Sequence, residues 1–126
     1  MNIQLIGSKV ESLSLSKSDE DIEQMDFSVR SGFSKEMQTS FVIIFNLKLK
    51  VDDAYILAIE HVSQFEASED IGDEEKESHF FSINAPAIAY PFLRAFVSNI
   101  LLSSGHEPVI LPTINFVKLS EEGNSL

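Results

Sequence analysis

The chain alternates apolar and polar side chains through most of its first half and turns almost continuously apolar in its last third. The clearest alternation runs from Ser40 to Val51, where Phe41, Ile43, Phe45, Leu47, Leu49 and Val51 occupy every second position. Successive strand side chains point to opposite faces, so these residues share one face and predict a long strand with one side in a core. The opposite face begins with Val42 and Ile44 and turns polar at Asn46, Lys48 and Lys50, which predicts cover over its first half only. Asp52 and Asp53 are turn formers, and Ala54 to Ala67 reads as the antiparallel return strand, with Tyr55, Leu57, Ile59 and Phe65 in one parity. Met25, Phe27, Val29 and Phe33 share a parity and predict a strand over Gln24 to Ser34. In Ile3 to Leu15 the apolar phase shifts between Val10 and Leu13, and a bulge near Glu11 accounts for it. The polar stretch Ser16 to Glu23 reads as an exposed connection, and the charged stretch Ser68 to Ser78 as a solvated loop or frayed helical turn.

From Pro86 the period becomes helical, and Phe92, Leu93, Ala95, Phe96, Val97, Ile100, Leu101 and Leu102 leave a polar strip of only Arg94, Ser98 and Asn99. Gly105 stops the helix, since glycine adopts positive φ without strain. Pro108 and Pro112 then keep the chain extended, and Ser120 to Leu126 is a polar tail. Four strands followed by one very apolar helix predict a single α+β domain over residues 1–126, a four-stranded antiparallel sheet with the helix packed on one face. A helix apolar on opposite sides exceeds what one small domain encloses. The sequence therefore predicts a second subunit, with the proline-rich segment also packing on the helix.

Composition narrows the chemistry. Twenty acidic against nine basic residues give a net charge of −11, which repels a phosphate backbone and argues against nucleic acid as a partner. The absence of cysteine excludes disulfides, thiolate metal sites and a cysteine nucleophile, and suits a reducing cytoplasm. The first residues lack the basic and apolar regions of an export signal, and the run Ala85 to Leu93, broken by two prolines, falls short of the roughly 20 residues that span a bilayer. A soluble protein is expected. The five glycines are scattered, so no phosphate-binding loop is formed and no cofactor is expected. His61, His79 and His106 have no metal-ligand spacing, and no nucleophile motif is present, which makes an enzyme the weakest class.

The stretch Pro86-Ala87-Ile88-Ala89-Tyr90-Pro91-Phe92-Leu93-Arg94, with Gly105, Pro108 and Leu111-Pro112-Thr113-Ile114-Asn115-Phe116 after it, resembles the SecB protein-export chaperone family. The resemblance implies a cytoplasmic holdase, a homotetramer built as a dimer of dimers, that keeps new proteins unfolded without ATP and passes them to the SecA motor. Together with strand parity, it marks Met25, Phe27, Val29, Ile110, Leu111, Ile114 and Phe116 as candidate client-binding residues. Phe92, Phe96 and Ile100 are assigned to subunit packing, and Glu60 resembles an acidic position used to contact SecA, a plain exposed glutamate being the alternative. Only ten residues follow Phe116 here, so the family's second helix is expected to be short or missing. That departure leaves open a chaperone dedicated to one client, such as an antitoxin. A structural oligomerisation module or a binder of small apolar ligands on the same fold is the alternative from another class.

Overall fold

The computed structural model describes residues 1–125, so the final residue of the polar tail lies outside the described residues. The four strands are β1 (Ile3–Lys17), β2 (Met25–Phe33), β3 (Ser40–Val51) and β4 (Tyr55–Ala67). They form one antiparallel sheet in the order β1-β4-β3-β2, so the longest apolar alternation, β3, lies inside the sheet beside β4. Consecutive β2, β3 and β4 form a meander. β1 lies beside β4 and reaches β2 by a connection across the sheet end, a Greek-key order. That connection is held against the β3–β4 turn by Ser18 N–H donating to Ala54 O and by an ion pair between Lys48 and Glu20, both at 3.0 Å. Asp52 and Asp53, at φ 51° and 60°, make the turn, consistent with the tolerance of aspartate for left-handed backbone.

β1 carries the expected bulge, a register shift between Val10 and Ser12, and a second shift between Leu5 and Gly7. With Glu11 as the extra residue, Val10 opposite His61 and Leu13 opposite Ile59 return to one face. The second bulge escapes the sequence because its extra residue, Ile6, is apolar yet points away from the core and stays exposed.

Helical winding starts earlier than the sequence suggests. A 3₁₀ turn at Glu75–Glu77 precedes a π-turn at Phe80–Asn84, which runs without a break into α1 (Ala85–Ser103). The resulting stretch Phe80–Ser103, 24 residues, is long and apolar enough to cross a membrane by length and composition, contrary to the expectation from the shorter run. One stripe of it packs on the sheet instead. Ala85, Ala89, Leu93, Val97 and Leu101, spaced four apart, are fully buried against the β2–β3–β4 core. In the π-turn, Phe81 stands edge-on over Phe41 at 4.7 Å and closes the sheet's far end. The face of β3 carrying Val42 and Ile44 stays only partly buried, so the cover expected there is not supplied by the described residues.

Helix α1 ends as its glycine predicts. Gly105 sits at φ 83°, with Gly105 N–H donating to Leu102 O at 3.2 Å and His106 N–H to Leu101 O at 3.0 Å, the paired bonds of a Schellman cap. After an extended segment, α2 (Phe116–Glu121) is a short helix whose N-cap Asn115 accepts from Lys118 N–H at 3.1 Å. A Cβ at position 105 would meet no atom within 4 Å, so Gly105→Ala isolates the cost of the left-handed backbone. It is expected to lower stability by about 1 kcal/mol, read as a fall in the urea midpoint at unchanged m-value.

Candidate functional site

Two surfaces collect the residues singled out by the sequence, and the sheet separates them from a third. The first is the corner where β2, α1 and α2 meet. Tyr90, on the buried side of α1, is edge-on to Phe27 at 5.8 Å, Phe45 at 6.1 Å and Phe116 at 5.6 Å. Phe27 and Phe45 are 5.4 Å apart, so β2 and the start of α2 share one aromatic cluster although nearly 90 positions separate them in the chain. The Tyr90 hydroxyl donates to the carbonyl of Pro112 at 2.6 Å, tying the proline-rich segment to the flank of α1. Burial pushes its pKa up to about 12, so the phenol remains a donor at neutral pH. Nothing local in the sequence marks Tyr90 or Phe45 as members of this cluster, because each reads as an ordinary core aromatic.

The candidate client residues divide by exposure. Phe27, Val29, Leu111 and Phe116 are buried in the core, Met25 and Ile114 are partly buried against it, and Ile110 is 77% exposed. The buried four form the wall beneath the surface, and Ile110 stands clear of it.

The second surface is the outer side of α1. Ile88, Phe92 and Leu102 are 42%, 51% and 64% exposed, with Phe96 and Ile100 partly buried at the margin. The proline-rich segment covers the helix flank and leaves this row open. Total accessible area is 7461 Å², against about 6,700 Å² expected of a folded monomer of 14.1 kDa. The single chain is thus more open than a self-contained domain of its size.

The third lies on the sheet face away from the helices. Glu60, partly exposed, faces Arg30 across β3 at 3.8 Å. At this distance and exposure the pair contributes little to stability.

The histidines take structural settings. His61 is 3% exposed beside Phe45, and its Nδ1 has no partner among the described residues. His106, just past the cap of α1, places Nδ1 2.6 Å from the Asp52 carboxylate and its ring against Tyr55, pinning the β3–β4 turn to the helix end. Among the described residues no group of three or more histidines and carboxylates is arranged to hold a metal ion.

A Greek-key sheet roofed on one side by a single long helix, with a row of large apolar side chains left outside the core, defines the class of this molecule. The family model described as preprotein translocase subunit SecB matches residues 12–124. The chain belongs to the SecB family. The protein-export protein SecB of Anaplasma phagocytophilum is 31% identical over 70 residues, 55% of this chain and 44% of that protein, so the match spans less than half of the relative. A SecB-like chaperone of Mycobacterium tuberculosis, solved in complex with a ChAD peptide from an antitoxin, superposes with a TM-score of 0.68 at 14% identity, covering 89% of this chain and 90% of that one. A protein of unknown function from Streptococcus agalactiae gives 0.66 at 12% identity, covering 90% and 98%. These two likenesses carry the fold.

Burial lowers the pKa of His61 below its ordinary 6.5. The unfolded chain therefore takes up this proton first as pH falls, and the stability present above pH 6.5 is lost as pH falls through the lower folded-state value. His61→Leu, which removes the unpartnered nitrogen, is expected to flatten the change in urea midpoint between pH 7.5 and 5.5. Equal slopes in both proteins would show that His61 does not set it.

Proposed function

We propose that this protein is an ATP-independent holdase of the cytoplasm, a homo-oligomer assembled as a dimer of dimers, that binds unfolded polypeptides and keeps them from aggregating before export. Residues 1–126 act as one domain in this reading. The observation that carries it is the apolar surface left outside the core of a SecB-family chain: Ile88, Phe92 and Leu102 on α1, and Ile110 beyond it. A holdase without a nucleotide cycle acts by mass action on the unfolded state, and it binds many sequences through apolar contact instead of a shaped pocket.

The two apolar surfaces divide the work. The outer row of α1, with Phe96 and Ile100 at its margin, packs against other copies, since it is long and rigid and has no cover from its own chain. Met25, Ile110 and Ile114 contact the client, with Phe27, Val29, Leu111 and Phe116 forming the wall behind them. Glu60 lies on the other side of the sheet, where SecA binding would not compete with a held client.

A narrower client range is the second reading. It draws support from the likeness to the chaperone solved with an antitoxin peptide, whose fold matches over 89% of this chain.

Two substitutions separate assembly from client binding. Phe92→Asp, at a site half exposed in the protomer, is expected to leave the far-UV circular dichroism unchanged and to reduce the mass by light scattering from tetramer to dimer or monomer. Ile110→Asp is expected to keep the oligomer and to cut suppression of aggregation of a chemically denatured client at stoichiometric amounts by several-fold. A wild-type protein that is monomeric and suppresses no aggregation at any ratio would sink the proposal.

A further inference from the structure

The outer edge of β2 is already paired with a strand-like piece of this same chain. Val29 N–H donates to Asn124 O at 3.0 Å, and Ser28 and Ser125 form an antiparallel bridge. Lys50 N–H donates to Gln24 O, so even-numbered residues of β2 direct their main-chain groups toward β3. Phe27, Val29 and Ser31 direct theirs outward, away from the sheet. The side chains of Phe27 and Val29 are spent on the core, so what β2 offers a partner is its main-chain edge.

The seated piece is placed by the end of α2. Leu119, buried in the core, accepts from Asn124 N–H at 2.9 Å, and the chain turns through Gly123 at φ 83° and Asn124 at φ 67° to reach the edge. Two consecutive left-handed residues, one of them not glycine, bring a single described main-chain hydrogen bond to β2. Past Val29, toward Ser31, the edge continues into an open cleft of about 540 Å³. The cleft is bordered by Val29, Phe81 and Pro86 together with the polar Arg30, Lys76 and Glu77, and the outward main-chain groups of Ser31 beside it have no main-chain partner among the described residues.

Resting on the holdase reading, we infer that the outer edge of β2 takes up an extended client as an added antiparallel strand, and that Gly123–Ser125 occupies this edge as an intramolecular stand-in that the client displaces. Main-chain pairing is blind to side-chain identity, which suits a surface that must accept many sequences. The resident segment meanwhile shields the edge from pairing with another copy.

The bridge supplies its own test. Ser28 and Ser125 form a non-hydrogen-bonded pair, the kind whose Cα atoms lie about 4.5 Å apart, within disulfide range. The chain has no cysteine to interfere. In the double variant Ser28→Cys, Ser125→Cys, oxidation locks the segment in place. Binding of fluorescein-labelled, reduced and carboxymethylated α-lactalbumin, followed by anisotropy, is expected to weaken at least fivefold on oxidation and to recover with dithiothreitol. Asn124→Pro cannot adopt the positive φ, so it unseats the segment and is expected to tighten binding of the same probe at least twofold. A locked variant that binds within twofold of its reduced form, or weaker binding by Asn124→Pro, overturns this inference and leaves the holdase reading intact. Thiols that fail to pair on oxidation overturn the strand placement. Absence of probe binding by the wild-type chain overturns the holdase reading and this inference with it.

Discussion

A helix can press only one stripe against one sheet, and α1 is apolar on more than one. Ala85, Ala89, Leu93, Val97 and Leu101 take the single face that the β2–β3–β4 surface can cover. Ile88, Phe92 and Leu102, off that stripe, are left facing water. The rest of the molecule follows from this. The sheet needs its helix side filled, so the aromatic residues of the π-turn and α2 complete the layer around α1. The fold is then complete as an enclosure for the helix side of the strands and incomplete as an enclosure for the helix, and the accessible area of the lone chain records the difference.

The strands were legible because alternation on β3 and β4 is long and unambiguous, and the edges of those two elements were read to within a residue. The bulge at Glu11 was legible from a phase change, whereas the one at Ile6 was not, since the exposed Ile6 has the parity of Val10 and so hides the shift from Leu5 to the residues after it. The start of α1 was legible to within a residue, whereas the π-turn before it was missed for a physical reason. The winding from Phe80 has no side-chain N-cap and passes through a wide π-turn, so Ser78 to Asn84 offers neither of the local signals that mark an N-terminus. Its only sequence trace is the pair Phe80-Phe81, of which Phe81 enters the core.

Of the candidate site, parity put Met25, Phe27 and Val29 on one face of β2, which the structure turns toward the helix, but parity carries no information on how deeply a side chain lies. Depth depends on what is stacked above. Here Tyr90, distant in sequence and backed by Phe116, covers the Phe27 side chain. The segment at Gly123–Asn124 had a turn signature, glycine followed by asparagine, yet nothing local indicates that its carbonyl would reach Val29. Long-range main-chain pairing of this kind is decided by where α2 ends, and that in turn by the burial of Leu119.

The two irregularities of β1 have a consequence for any extended chain that meets this edge of the sheet. Each extra residue bends the strand and tightens its twist, so a straight incoming strand can follow it only over Ile3–Leu5, Gly7–Val10 or Ser12–Lys17. Amyloid growth demands flat, unbroken register repeated chain after chain. An outer margin bent twice within a few residues is a poor template of that kind, so the bends guard the one edge of the sheet that β1 leaves open.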